Sequence, residues 1–168
     1  FIAVAIKIDS KGPIFYSTNR VGEGGALFKF TKFRSMTGTD HGNDALETVH
    51  KVTRVGVFLR RTRLDELPQL WNVFMGHMSF IGPRPELPAL VKEYRKKIPH
   101  YNLRHLVKPG LSGWAQIKHH NHAHHKINVE ATVEKLSYDL YYIKERTLWL
   151  DFSIAILTIK TLLFSKGS

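Results

Sequence analysis

The chain of 168 residues is long enough for one ordinary domain with its own core. A hydrophobic content of 43% excludes disorder, and the absence of cysteine excludes disulfides and thiolate metal sites. Twenty-five Lys and Arg against fourteen Asp and Glu leave a formal charge of +11. Such a field draws nucleic acid, anionic lipid headgroups or phosphorylated substrates, and charge alone does not choose among them.

The run Phe1-Ile2-Ala3-Val4-Ala5-Ile6 has no basic n-region and no small-residue cleavage site, so it is not a signal peptide. It reads as the tail of a longer apolar element with more chain upstream. Gly12-Pro13 marks a turn before the strand-like Ile14-Phe15-Tyr16. A second β-prone run, Leu27 to Phe33, follows the loop Gly22-Glu23-Gly24-Gly25, and the two runs predict a hairpin. Thr37 to Asp44 is polar and predicts a loop. From Ala45 to Arg63 the apolar spacing predicts a loosely amphipathic helix, or two pieces broken near Gly56.

Pro68 sits in the first turn of a new helix or ends an old one, and it biases Leu67 away from helical geometry. Gln69 to Phe74 is then a short helix. Ile81 to Pro85 cannot be helix interior. Glu86 to Ile98 predicts a helix with Leu87, Leu90, Val91 and Tyr94 on one face. Pro109-Gly110 and Gly113 break the chain, residues 119–125 predict a His-rich surface loop, and two helices close the chain over Val129 to Lys144 and Trp149 to Phe164. The stretch 148–164 carries Asp151 and Lys160 and falls short of a membrane span; it suits a helix lying in a membrane interface or one packed on a core. Without repeats or a linker, the pattern predicts one mixed α/β domain, helix-rich with a small β-hairpin.

Candidate chemistry is densest at Leu64 to Leu70, where Asp65 and Glu66 precede the proline-marked helix start. Neighbouring side chains diverge in a regular helix but can converge at a broken end; alternatively both simply favour a positive helix N-terminus. Basic residues surround the pair in sequence: Lys32 and Arg34 in Lys32-Phe33-Arg34, then Arg60, Arg61 and Arg63, and Arg84 between two prolines. A stiff Pro-Arg-Pro backbone suits bidentate gripping of phosphate oxygens, and a solvated surface arginine is the plain alternative. Pro109 to Gln116 supplies a glycine-bracketed turn. Tyr138, Tyr141 and Tyr142 either line a sugar or uridine pocket or pack a helix onto the core.

Taken in order, these motifs resemble the bacterial sugar transferases, the monotopic polyprenyl-phosphate hexose-1-phosphate transferases. The resemblance runs over essentially the whole of 1–168: Gly12-Pro13-Ile14-Phe15, Arg20-Val21-Gly22, Lys32 to Met36, Leu64 to Leu70 with Asn72, Gly82-Pro83-Arg84-Pro85, Pro109 to Gln116, and Tyr138 to Tyr142. It implies a single membrane-associated catalytic domain following a re-entrant membrane helix, with residues 1–8 as that helix's end and 148–164 as an interfacial helix. It also implies transfer of a sugar-1-phosphate from a UDP-sugar to undecaprenyl phosphate with release of UMP, an early membrane step of exopolysaccharide, capsule, O-antigen or glycoprotein glycan assembly. Asp65 matches the nucleophile, carrying a covalent phosphosugar. Glu66 shares Mg²⁺ with Asp65 or orients the site, Lys32 and Arg84 hold phosphate oxygens, and Arg34 and Arg63 are second-line phosphate contacts. The implied partners are the donor, the polyprenyl phosphate, anionic membrane lipids and downstream glycosyltransferases, with no nucleic acid. The implied location is the cytoplasmic face of the bacterial inner membrane.

Two departures stand out. Gly76-His77-Met78-Ser79 replaces the family's usual Gly-Asp-Met-Ser or Gly-Glu-Met-Ser, and no role is assigned to His77. The stretch His119 to His125 holds five imidazoles in seven residues, either a Zn²⁺ or Ni²⁺ binder or a solvated loop charging near pH 6. The competing functions are a nucleic-acid-binding module, for which no zinc spacing, RNP-type strand or recognition helix is evident, and a non-catalytic membrane-surface scaffold.

Overall fold

The computed structural model describes residues 1–37, 51–118 and 128–164. Most of the expected 37–44 loop, the start of the 45–63 helix and the His119 to His125 stretch lie outside the described residues. The architecture is mixed α/β and helix-rich, with three two-stranded sheets among the described residues.

The first helix, α1 (Ile2–Asp9), buries Ile6 and leaves Phe1, Val4 and Ile8 exposed. Strands β1 (Phe15–Val21) and β2 (Leu27–Phe33) form the expected antiparallel hairpin, with Phe15 opposite Phe33 and Val21 opposite Leu27. Its turn places Gly24 and Gly25 at φ 64° and 83°, a left-handed pair that glycine adopts without steric cost. Inward Phe28 and Phe30 pack with Met78 and Val73, the period-2 alternation of a half-buried strand.

Thr37 belongs to a short strand rather than a loop: β3 (Met36–Thr37) pairs antiparallel with β4 (Lys51–Val52). Helix α2 (Arg54–Arg61) begins where Thr53 Oγ1 accepts from Gly56 N at 2.9 Å and Asp9 Oδ2 accepts from Val55 N at 2.9 Å. Gly56, expected as a break point, lies inside this helix. A Cβ there would stand 1.9 Å from the Ser35 carbonyl oxygen, so its role is close packing.

Arg63 takes a left-handed conformation (φ 57°, ψ 13°) and turns the chain into a 3₁₀ turn, Leu64–Glu66. Helix α3 (Gln69–Phe74) then starts with Pro68 at its cap. Leu67 is helical (φ −52°, ψ −38°), against the bias imposed by the following proline; it continues the 3₁₀ turn, donating its N–H to Leu64 O at 3.3 Å. Strand β5 (Ser79–Ile81) follows, then α4 (Pro88–Lys97), whose Leu90, Val91 and Tyr94 are buried with Val21, Tyr101 and Leu136 while Leu87 packs against them.

The segment expected as a turn at 109–113 contains β6 (Gly110–Ser112), which pairs parallel with β5, Ser79 opposite Gly110 and Ile81 opposite Ser112. Only glycine allows this approach: a Cβ on Gly110 would lie 2.1 Å from Gly82 N, and one on Gly113 would lie 2.2 Å from Gly82 O. Helices α5 (Trp114–Lys118), α6 (Val129–Lys144) and α7 (Leu148–Phe164) complete the domain. Asn128 caps α6, its Oδ1 accepting from Ala131 N at 2.9 Å.

Helix α7 joins the core through Ile154, buried with Ile81 and Tyr142, while Leu148, Trp149, Phe152, Ile156 and Ile159 remain exposed. Among the described residues, no helix is long and apolar enough to cross a membrane. Of the tyrosines, Tyr142 is buried and donates to Asp151 Oδ1 at 2.7 Å, and half-exposed Tyr141 stacks on Trp114 at 6.0 Å.

Candidate active site

The 3₁₀ turn Leu64–Glu66 faces β2 and the loop after β5, and brings five of the six expected residues together. Glu66 Oε1 accepts from Lys32 Nζ at 2.8 Å and from Arg84 Nη2 at 2.7 Å, with Arg63 Nη1 at 4.0 Å. All three cations address the same carboxylate oxygen. Burial by itself would raise the Glu66 pKa; Arg84 and Lys32 outweigh it and hold the carboxyl well below the usual range. Burial lowers the Lys32 pKa, against the pull of Glu66.

Asp65 is 7% exposed, and its Oδ1 is buried with no hydrogen-bond partner among the described residues. Desolvation raises its pKa, while Lys32 acts in the opposite direction and the Glu66 charge adds to the rise. The two neighbours thus differ in state. Glu66 is clamped and firmly ionised; Asp65 is poorly solvated and lacks a partner on one oxygen, the condition of a reactive carboxylate.

Arg34 stands apart from this group. Its guanidinium donates to Ser10 O at 2.7 Å, Lys11 O at 2.9 Å, Ser10 Oγ at 2.9 Å and Ile6 O at 3.4 Å, closing the C-terminal end of α1. With both terminal nitrogens directed at these oxygens, Arg34 is a structural clamp on α1 and is not brought to the carboxylate pair as a phosphate contact. His77 lies stacked on Phe28 with ring centroids 6.0 Å apart.

The loop carrying Arg84 is fixed on several sides. Gly82 N donates to Ser112 O, Gly110 N to Pro83 O and Val21 N to Glu86 O, all within 3.0 Å, and Arg20 Nη1 reaches Pro85 O at 3.5 Å. From the interior, Arg104 Nη2 donates to the Arg84 carbonyl at 2.9 Å and pairs with Asp139 Oδ2 at 2.8 Å, while its Nη1 donates to Tyr101 Oη at 2.8 Å. Arg104 and Asp139 are 3% and 2% exposed. Burial opposes the Arg104 charge, but Asp139, Tyr101 and Glu86 together hold its proton firmly. Glu86 pairs with Lys135 and sits 3.8 Å from Arg104; these cations overcome burial and hold its pKa near about 2.

Sequence reasoning passed over Arg104, Glu86 and Lys135, and placed Asp139 only inside a motif. The signal was present in α6: Thr132, Leu136, Asp139 and Tyr142 are its buried residues, spaced by three and four. A carboxylate on that stripe demands a buried cation.

An apolar groove of about 760 Å³ adjoins the carboxylate turn, with Phe1, Ile2, Phe15, Phe33, Leu67 and Trp71 among its walls. Among the described residues, no group of three or more His, Cys, Asp or Glu side chains is placed to hold a metal ion.

The fold and site define a small α/β domain built around a buried carboxylate pair answered by fixed cations. The bacterial sugar transferase family matches residues 1–165, and the chain belongs to that family. It is 46% identical over 169 residues to the UDP-N-acetylgalactosamine-undecaprenyl-phosphate N-acetylgalactosaminephosphotransferase of Aeromonas hydrophila, covering 99% of this chain and 39% of that protein. The UDP-glucose:undecaprenyl-phosphate glucose-1-phosphate transferase of Xanthomonas campestris pv. campestris is 43% identical over 98% of this chain and 34% of its own length. The exopolysaccharide production protein PSS of Rhizobium leguminosarum bv. phaseoli is 36% identical over 95% of this chain and 82% of its own. The chain therefore spans only 39% and 34% of the first two of these relatives.

Proposed function

We propose that this domain transfers a sugar-1-phosphate from a UDP-sugar to undecaprenyl phosphate through a phosphosugar carried on Asp65. The observation that carries the reading is the contrast within one turn: Asp65 buried with an unpartnered oxygen, Glu66 clamped by Lys32 and Arg84. The names of the relatives supply the two substrates.

In the first half-reaction a carboxylate oxygen of Asp65 attacks the β-phosphorus of the donor. The bond from that phosphorus to the bridging oxygen breaks, and UMP leaves with the electron pair. In the second, a phosphate oxygen of the polyprenyl acceptor attacks the same phosphorus and Asp65 is released. Two anions approach in each step, so fixed positive charge is required. Lys32 and Arg84 supply it, exchanging part of their grip on Glu66 for phosphate oxygens, with Arg63 behind them.

Magnesium fits this donor set in the sparse manner typical of phosphoryl enzymes. Asp65 and Glu66 would hold the ion, the donor phosphates and water completing its shell, in keeping with the orphaned Asp65 Oδ1 and the crowding of all three cations on Glu66 Oε1. The bound ion supplies neutralisation of diphosphate charge.

The acceptor argues for a membrane setting, at the cytoplasmic face of the bacterial inner membrane beside downstream glycosyltransferases. Exposed Val57, Phe58, Trp71 and Phe74 near Arg60 and Arg61, together with the outer face of α7, suit an anionic leaflet. The apolar groove beside Leu67 suits an isoprenoid chain.

The relatives differ in sugar, so the decisive experiment is a UMP-release screen across glucose, galactose and N-acetylated UDP-sugars with a polyprenyl phosphate in detergent. Asp65→Asn is expected to abolish both UMP release and the covalent adduct while the fold persists, and EDTA to stop turnover. Full activity of Asp65→Asn would sink the nucleophile assignment.

A further inference from the structure

Arg84 acts at the carboxylate pair from an irregular loop between two prolines, whose residues Gly82, Pro83 and Glu86 are held by backbone hydrogen bonds. The carbonyl of Arg84 itself is held from beneath. One guanidinium fork, Arg104, binds the Arg84 carbonyl with one nitrogen and Tyr101 Oη with the other, and Asp139 on α6 braces the nitrogen that makes the first contact. We infer that Arg104 and Asp139 are positioning residues for the transfer reaction, setting the Arg84 backbone so that its side chain meets Glu66 and the leaving phosphate. The inference rests on the activity proposed above.

A buried ion pair is a poor device for stability alone, because apolar residues of similar volume usually serve as well or better. A lysine could neutralise Asp139, but its point charge cannot address Asp139, Tyr101 and a carbonyl in fixed directions. The planar fork does so, and the carbonyl it selects belongs to the residue whose side chain carries the charge to the site. Lys135 on Glu86 and Arg20 on Pro85 O hold the same loop two residues and one residue beyond the point of contact. The contact from Arg84 to Glu66 is 2.7 Å, so a shift of the loop by an ångström breaks it.

The test uses the full-length protein in detergent. Arg104→Lys keeps a cation opposite Asp139 but loses the donor to Arg84 O. It is expected to slow UMP release by roughly ten- to a hundredfold, the scale of an ångström misplacement in a pre-organised site. In an Arg84→Ala background the same change is expected to cost less than about threefold, because the group it positions is gone. Wild-type release by Arg104→Lys, or an equal loss in both backgrounds, overturns the inference. If Arg104→Lys does not fold, the double change Arg104→Met with Asp139→Leu, which strands no charge, is measured with the same expectations.

Hydrogen exchange separates this inference from the activity it rests on. If the wild type releases no UMP from any UDP-sugar, the activity reading falls by itself. Positioning is then decided by the exchange of residues 82–87 in Arg104→Lys: faster exchange confined to that loop supports it. Unchanged exchange, or a uniform rise across the domain, overturns it.

Discussion

Replacing Glu66 with Gln removes one negative charge from the centre of the site and almost no volume. Two cations lie against that charge, at 2.8 and 2.7 Å, with side-chain exposures of 23% for Lys32 and 29% for Arg84. Removing one partner of a fully buried pair costs about 3–5 kcal/mol. Partial exposure of both cations and the amide oxygen left as acceptor reduce this to about 2–3 kcal/mol. In a domain of this size that corresponds to a fall in Tm of roughly 5–10 °C. The pH dependence is the sharper signature. The folded-state pKa of Glu66 is lowered from 4.5 by Arg84 and Lys32 against desolvation, so its contribution is fully present above 4.5 and is lost as pH falls below it. Urea unfolding of wild type and Glu66→Gln between pH 7 and pH 3 should show a constant gap above about pH 5 that narrows below it. Equal stability at pH 7, or a gap that does not narrow by pH 3, refutes the clamp.

His105 is buried, and burial, Arg104 and Arg95 lower its pKa from 6.5 to about 4. A base with a lowered folded pKa stabilises above its unfolded value, so up to roughly 3 kcal/mol is lost as pH falls from 6.5 to 4; thermal melts of His105→Phe should show a shallower decline across that window. Arg34→Ala removes the donors closing α1 and should lower stability by about 2–4 kcal/mol, with hydrogen exchange rising first in residues 2–11 and the KM for the UDP-sugar unchanged. A raised KM with an unchanged fold would return Arg34 to the phosphate-binding group. Gly56→Ala drives a methyl into the Ser35 carbonyl at 1.9 Å and should cost about 2 kcal/mol or more by urea unfolding, where an ordinary helical glycine would gain from alanine.

Much of the site was legible because short motifs marked it. Adjacent carboxylates at a proline-broken helix start, a lysine closing a hairpin and an arginine between prolines each have a plain reading alone and gain roles through their joint resemblance to the family, and the fold brings Lys32, Arg63 and Arg84 onto Glu66. Long periodic elements were equally plain, α6 at Val129–Lys144 and β2 at Leu27–Phe33 among them. What sequence reasoning missed depends on distant partners. Arg34 shares a motif with Lys32 yet points to α1, because it stands one residue past the end of β2, against Ser10 and Lys11. The parallel pairing of β5 with β6 rests on glycines that in isolation signal only a turn. Arg104 lies outside any periodic run, Glu86 reads in sequence as the start of a helix that begins only at Pro88, and only the folded chain reveals that Asp139 and Lys135 answer them.

The seam between β5 and β6 also bears on the order in which the domain is assembled. Parallel pairing between strands so far apart in the chain cannot nucleate locally and waits for α4 and the Tyr101–His105 turn to bring the ends together. During synthesis from the N-terminus, the hairpin and the carboxylate turn emerge first, whereas the buried acid that completes the hold on Arg84 arrives with α6. A nascent chain ending before Asp139 thus carries both carboxylates and the three cations around Glu66 without the late brace beneath Arg84. The cluster reaches its complete arrangement only once nearly the whole domain has been made.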